Sequence, residues 1–99
     1  MQIVNSTHLD VLASAYMMNV GDKLARHAHD VEHTCHVLMG AVEVEIYDGR
    51  PVFLLYSRNR DFSQTVLPPD IDHEIRAVLP NTLILNMMHK DGKYIDPKK

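Results

Sequence analysis

The sequence predicts an all-β fold, and three features of its residue pattern support that prediction. Apolar and polar residues alternate with a period of two, most clearly over Ala41–Gly49, where valine and isoleucine alternate with glutamate. Turn residues interrupt such runs roughly every 8–12 residues, which is typical of β-sandwiches and β-barrels. No segment stands out that combines a helix N-cap with an apolar stripe of period 3.6. The pattern alone does not separate a sandwich from a barrel.

The first half of the chain contains both the least regular and the most regular of the predicted strands. Leu9–Val20 has the leucine, alanine and methionine content of a helix, but we expect strands there because it lacks a capped helical stripe. Ala41–Gly49 is predicted as a strand with one solvated face, and the Asp-Gly pair at its end is a hairpin signal. Pro51–Ser57 is the returning strand, and Ser57–Asp61 is a polar turn.

Further strands are predicted in the second half of the chain. Phe62–Pro68 is rich in strand-forming residues and ends at a Pro-Pro-Asp turn. His73–Leu79 alternates again between polar and apolar residues, and Thr82–Met88 has the nearly continuous apolar character of a buried strand. The tail, Asp91–Lys99, is expected to form an edge strand or a loose end.

Composition indicates one ordinary globular domain over residues 1–99, with 45% hydrophobic and 23% charged residues. The net charge is −3 and basic residues adjoin only at Lys98 and Lys99, so we expect no binding to nucleic acid. No apolar stretch approaches the length of about 18 residues that a membrane helix needs, and the N-terminus lacks the features of a signal peptide. Cys35 is the only cysteine, which excludes an intrachain disulfide and fits a cytoplasmic protein.

Histidines are concentrated in one short stretch, because four of the seven in the chain fall within residues 21–40. His27 and His29 are two residues apart and therefore point the same way on an extended strand. His33 can face the same interior from the next strand if the intervening residues form a turn or bulge. Gly21 and Gly40 lie where the chain would turn into and out of this unit. Neutral imidazoles facing one another suit zinc, iron, nickel or copper.

This spacing, G-x5-H-x-H-x3-H-x6-G, resembles the first motif of the cupin superfamily, which carries glutamate at the third ligand position. The second cupin motif, G-x5-P-x-G-x2-H-x3-N, is matched here by Pro68 and His73. Phe62 and Asp70 stand where that motif has its two glycines, and Ala77 replaces its asparagine. Each motif occurs once, and with the surrounding strands they cover most of the chain. The resemblance implies a single small antiparallel β-barrel of the jelly-roll type.

Carried over position by position, the resemblance implies a metal site of four imidazoles, from His27, His29, His33 and His73. His33 stands at the usual glutamate position, whereas Glu32 is one residue off and would face the other way. Four neutral ligands leave the full charge of a divalent ion at the site. We therefore expect zinc, iron(II), nickel or copper rather than manganese, and an anionic ligand in any open coordination position.

Several other histidine, cysteine and tyrosine side chains are expected to have ordinary packing or surface roles. His36 is expected on the opposite face of the strand from His33. Cys35 shares the parity of His33 and is expected to behave as a small buried hydrophobic residue. Tyr16, Tyr47 and Tyr56 are expected to pack, with proton donation into a pocket as the alternative. No general base is evident, so the sequence identifies no catalytic residue.

Two functions of different classes remain open. Cupins include dioxygenases, isomerases, lyases and cyclases, so the first hypothesis is a metalloenzyme acting on a small organic molecule. The alternative is a non-catalytic barrel that binds or senses a small ligand or a metal. An open cavity of substrate size above the ion would favour the enzyme. The resemblance also implies a homodimer, for which the apolar run at residues 51–56 offers a surface.

Overall fold

The protein is built from β-strands, as the alternation in the sequence predicts. The computed structural model describes residues 1–59 and 61–97, and all the regular structure within those residues is strand. None of it forms a helix of the length and apolarity that crossing a membrane requires. The strands are β1 (Gln2–His8), β2 (Val11–Met18), β3 (Lys23–His29), β4 (His33–Met39), β5 (Ala41–Ile46), β6 (Phe53–Tyr56), β7 (Gln64–Leu67), β8 (His73–Ala77), β9 (Thr82–His89) and β10 (Tyr94–Ile95).

The strands form two antiparallel sheets of five strands each. The first sheet has the order β1-β2-β9-β4-β7, and the second has the order β10-β3-β8-β5-β6. The core lies between them and consists of inward side chains from both sheets, because alternate residues of each strand face the interior. Its largest fully buried apolar side chains are Met18, Ile46, Leu55, Leu67, Ile75 and Ile84. The antiparallel jelly-roll architecture expected from the sequence is confirmed.

The ends of the chain show where the sequence pattern was informative and where it was not. Strands were expected over Leu9–Val20, and β2 lies there, with Leu9 at a left-handed φ of 54° in the turn that precedes it. The strand before that turn, β1, was not predicted. In the described part of the tail, residues 91–97, Tyr94–Ile95 is the only strand, and it pairs at the edge of β3. Arg60, within the predicted turn, and Lys98 and Lys99 lie outside the described residues.

A β-bulge in β3 determines which of its side chains face the core. Leu24 is paired with Ile75, whereas His27 is paired with His73, so three steps along β3 correspond to two along β8. Side chains alternate between the faces of a strand, and one extra residue reverses the parity. Even-numbered Leu24 and odd-numbered His27 therefore both point into the barrel.

Two turns, one in each of the two segments that resemble cupin motifs, have unusual backbone conformations. Gly40 has φ of 82°, and a Cβ added to it would lie 2.9 Å from the Cα of Thr82, so both conformation and space require glycine. Asp70 has φ of 63°, at the position where the cupin motif carries its second glycine. Aspartate tolerates this left-handed conformation better than most residues. The Asp70 amide donates a hydrogen bond to the carbonyl of His29 at 2.8 Å, which ties the loop before β8 to β3.

Candidate metal centre

Both sheets contribute to a cluster of four histidines at one end of the barrel. His27 and His29 lie at the end of β3, and His73 is the first residue of β8, all in the second sheet. His33 opens β4 in the first sheet and reaches the cluster from the opposite side. Each of the four histidines named by the sequence motifs therefore lies in this one cluster. The motif spacing predicted their convergence, although it could not show the bulge that orients His27.

The four imidazole rings form a closed circuit of close neighbours. Ring centroids are 4.8 Å apart for His27 and His29 and 4.6 Å apart for His27 and His73. The His33 ring completes the circuit, with its centroid 4.8 Å from those of His29 and His73. The rings of His29 and His73 lie opposite each other in the circuit and are nearly parallel, with their centroids 5.8 Å apart. Four polar rings at these separations share one small volume at the top of the apolar core.

Burial and mutual repulsion lower the pKa of three of these imidazoles, which favours their uncharged form. Burial, together with repulsion from His73, His29 and His27, lowers the pKa of His33 to about 3. Burial also lowers the pKa of His73 to about 4, with further contributions from His27 and His29. The pKa of His29 is lowered by burial and then by His27. A neutral imidazole has a free lone pair on one ring nitrogen, which is the form that binds a metal.

The hydrogen bonding of the rings fits a bound cation. His27 Nδ1 is 2.6 Å from the carbonyl oxygen of Ala25, so it carries the proton and donates, which leaves the lone pair on Nε2. The described residues provide no hydrogen-bond partner for three other buried ring nitrogens, His29 Nδ1, His33 Nδ1 and His73 Nε2. Buried polar atoms are normally paired. A divalent transition metal would satisfy lone pairs on this donor set.

The tightest part of the cluster consists of three of the four histidines. The ligand atoms of His27, His29 and His73 all lie within 4.8 Å of one another, and this set can hold a metal ion. His33 stands beside the set and is 3% exposed. Its position agrees with the ligand slot of the sequence motif, but its ligation stays a prediction.

A cavity of about 520 Å³ adjoins the histidines and is lined by strands from both sheets. Its apolar wall is formed by Ile3, Leu12, Leu24 and Met88. Its polar side chains besides the histidines include Ser14, Tyr16, Asn86 and Tyr94. None of the described residues that line it is acidic. The volume lies within the range of roughly 300–1,000 Å³ that is usual for small-molecule sites.

Tyr94 is a site residue that sequence reasoning missed. Its ring stacks on His27 with centroids 5.1 Å apart and an interplanar angle of 16°. Tyr94 pairs with His29 through the short strand β10. Nothing local in the sequence reveals this contact, because β10 has two residues and joins β3 from the far end of the chain.

The remaining sequence candidates fall into distinct environments. Of the three tyrosines considered as proton donors, Tyr16 lines the cavity, whereas Tyr47 lies under the guanidinium of Arg26, 3.8 Å from it, and Tyr56 is at a separate surface site. Cys35 is fully buried in the core, and burial raises the pKa of its thiol to about 12. His36 lies 3.1 Å from the hydroxyl of its strand neighbour Thr34. These placements agree with the packing roles expected for Cys35 and His36.

Comparison with known proteins identifies the architecture. No protein-family model matches the sequence, and neither does any curated protein. Solved structures do match. A cupin 2 domain-containing protein from Halorhodospira halophila superimposes with a TM-score of 0.79 at 18% identity, over 97% of this chain and 68% of that one. The chain has the cupin fold.

Other cupin-fold structures superimpose almost as well. KdgF from Halomonas sp. matches with a TM-score of 0.73 at 21% identity, over 99% of this chain and 81% of that chain. Oxalate decarboxylase from Bacillus subtilis, which has Mn(II) centres, matches with a TM-score of 0.71 at 13% identity. That match covers 88% of this chain and 24% of the decarboxylase, so this chain spans about a quarter of its length. These similarities establish the fold alone, because each of these proteins is less than 25% identical to this chain.

Proposed function

We propose that this cupin holds one divalent transition metal on His27, His29, His33 and His73 and acts as a metalloenzyme on a small organic anion. The observation that supports it most strongly is the convergence of four imidazoles, three of them with a pKa lowered by burial, beside a cavity of substrate size. When bound, such an ion would supply Lewis acidity and attract an anionic oxygen. The reaction type stays open between dioxygenase, isomerase, lyase and cyclase chemistry.

The donor set favours a borderline metal. Four imidazoles suit zinc, iron(II), nickel or copper, whereas manganese prefers oxygen ligands. The Mn(II) centres of the similar oxalate decarboxylase therefore do not transfer directly to this chain. Position 33, where the cupin motif has glutamate, is histidine here. The nearest carboxylate in sequence, that of Glu32, belongs to an exposed residue before β4.

Charge supports an anionic ligand. Neutral imidazoles leave the ion its full double positive charge, and no carboxylate from the described lining of the cavity offsets it. An anion entering the cavity would neutralise part of that charge in a partly desolvated space, where electrostatic attraction is stronger than in bulk water. The apolar wall formed by Leu12, Leu24 and Met88 would pack against a hydrocarbon part of the same molecule.

Metal analysis of protein purified without a histidine tag tests the proposal. We expect about one transition-metal ion per chain, a raised melting temperature of the loaded form, and loss of both in His73→Ala. His36→Ala is the matched control, because His36 lies on the other face of β4 and contacts Thr34. A wild-type chain that takes up none of zinc, iron(II), nickel and copper would contradict the proposal. A ligand screen on the loaded form identifies the anions that bind, and a product assay on those anions then separates an enzyme from a non-catalytic sensing barrel, since only an enzyme converts the anion it binds.

We further propose that the chain forms a homodimer through the outer face of the first sheet. In the described part of the chain, two cross-strand rows on this face carry no carboxylate, lysine or arginine: Val4–Ala15–Leu85–His36 and Ser6–Ala13–Met87–Thr34–Val66. The outer face of the second sheet is instead charged, with Arg76 bound to Glu43, Glu45 and Glu74. An uncharged apolar face can pair with its own copy without charge repulsion.

A further inference from the structure

The floor of the cavity contains a polar pair that the metal site does not use. Ser14 on β2 and Asn86 on β9 are directly opposite each other in the antiparallel register, and both line the cavity. On the other side of Asn86 the register continues to Cys35, which belongs to the apolar core. An amide and a hydroxyl therefore stand together on an inward surface that is otherwise largely hydrocarbon.

The amide of Asn86 is incompletely satisfied. Its Oδ1 is buried and has no hydrogen-bond partner within residues 1–59 and 61–97. Proteins pair nearly all such atoms, because an unpaired buried acceptor is costly. The atom belongs to a residue that lines an open cavity of about 520 Å³, so a molecule entering that cavity can supply the missing donor.

The position of the pair relative to the histidines limits what that molecule is. Met88 is paired with His33 across β9 and β4, and Asn86 lies two residues further along β9 on the same face. Two residues of strand span roughly 7 Å. One ligand of a few carbon atoms can therefore reach both the histidine cluster and Asn86.

We propose that Ser14 and Asn86 recognise a hydroxyl group on the organic anion, so that the preferred ligand is a small hydroxycarboxylate with a short hydrocarbon chain. This inference rests on the proposed function, which places the anionic group of the ligand at the metal. A hydroxyl donates one hydrogen bond and accepts others, which matches an amide that offers both an acceptor and a donor. Leu12 and Met88 flank the pair and fit the hydrocarbon chain.

Calorimetric titration of zinc-loaded protein with 4-hydroxybutyrate and with butyrate tests the inference, because the hydroxyl of 4-hydroxybutyrate lies at the end of the chain away from the carboxylate. We expect wild type to prefer the hydroxy acid by about tenfold or more, the size of effect that one satisfied buried polar atom produces. In Asn86→Leu the preference should fall to within about twofold, while zinc content and butyrate affinity stay near wild type. Ser14→Ala should lose part of the preference, and Ser6→Ala, an exposed serine on β1, should lose none.

The outcomes separate the two proposals. If Asn86→Leu still prefers the hydroxy acid, the polar pair does not recognise the hydroxyl and the inference is wrong. Equal binding of both acids to wild type, or no binding of either acid, also overturns the inference. If wild type takes up none of zinc, iron(II), nickel and copper, the metal proposal fails, and the same pair of acids is titrated into the metal-free protein. A hydroxyl preference there that Asn86→Leu abolishes would still support the polar pair, and its absence would overturn it. If Asn86→Leu does not fold, Ser14→Ala against Ser6→Ala decides.

Discussion

Arg26 Nε donates a hydrogen bond of 2.7 Å to Asp72 Oδ2, and each of these two residues immediately precedes a histidine of the cluster. The Asp72 side chain is buried, and the Arg26 guanidinium lies 3.8 Å above the ring of Tyr47. Arg26 sits in the bulge of β3, where the ladder with β8 is interrupted. The ion pair therefore holds the irregular part of β3 against the start of β8, on which His27 and His73 depend for their spacing.

We predict that Asp72→Asn weakens metal binding without abolishing it. The four imidazoles remain, but a neutral amide holds the guanidinium less firmly, so the ligands lose part of their fixed geometry. Substitutions of residues that hold metal ligands in place typically reduce metal affinity by 10- to 100-fold. We expect about tenfold here, because Asp72 and Arg26 act on the histidines only through the backbone. Competition with a chromophoric chelator measures it. Asp48→Asn is the control, since it breaks the exposed Asp48–Arg50 pair, and equal affinity in all three proteins would contradict the prediction.

We predict that the metal-free protein loses stability as the pH falls below about 6.5, the pKa of an unperturbed histidine. His33 and His73 have folded pKa values of about 3 and about 4, so between these values and 6.5 the unfolded chain binds more protons than the folded chain. The contribution of these two histidines to the free energy of unfolding is thus fully present above pH 6.5, and it declines as the pH falls through this window. Each such histidine contributes a slope of at most about 1.4 kcal/mol per pH unit. Denaturant unfolding at a series of pH values measures it.

The pH effect has an internal control. Metal-free His33→Gln lacks one of the two titrating rings and should show a shallower decline over the same window. His36→Gln, on the opposite face of β4, should follow wild type. A free energy of unfolding that is flat between pH 4.5 and 6.5 in the metal-free wild type would mean that the imidazoles do not stay neutral in the fold.

We predict that Val66→Glu dissociates the proposed dimer. Val66 is 48% exposed on the outer face of the first sheet, so the change should spare the fold, and at a two-fold interface it introduces two carboxylates into an apolar contact. Such a charge costs several kcal/mol when desolvated, enough to weaken association by roughly a hundredfold or more. Sedimentation velocity at micromolar concentration measures it, with circular dichroism to verify folding.

Leu54→Glu on β6 distinguishes this face from the one that the sequence suggested. The apolar run at residues 51–56 divides in the structure, with Leu55 in the core and Leu54 and Tyr56 exposed at 36% and 41%. If the outer face of the first sheet is the interface, Leu54→Glu remains a dimer. A monomeric Leu54→Glu beside a dimeric Val66→Glu would favour the edge at β6 instead.

The sequence predicted those features that depend on neighbouring residues. Strands such as β5 and β8 alternate because one face is buried, and alternation is visible in a single segment. Strand β1 was not predicted, because each of its residues is exposed and its sequence therefore shows no buried face. The bulge in β3, the Arg26–Asp72 pair and the stacking of Tyr94 on His27 each join residues that are distant in the chain or break the local pattern. Such features need the fold before they can be seen.

The position of His33 leaves a specific question about the metal site. Its ring is buried and lies 4.8 Å from the rings of His29 and His73, as expected of a fourth ligand. The compact donor set of His27, His29 and His73 nevertheless forms without it. Substitution of His33 should lower the metal affinity if His33 is a fourth ligand, and should leave the metal affinity unchanged if His33 is a neighbouring imidazole that does not bind the ion.

We predict that His33→Ala lowers zinc affinity by roughly tenfold or more, because it removes one of four ligands rather than a supporting contact. His33→Glu restores the carboxylate of the common cupin motif, and by adding a negative oxygen donor it should shift preference from zinc or copper towards manganese or iron. Metal content per chain and chelator competition are measured side by side for wild type, both variants and His27→Ala, which should lose the site. If His33→Ala holds zinc as tightly as wild type while His27→Ala holds none, the centre has three histidine ligands and His33 only borders it.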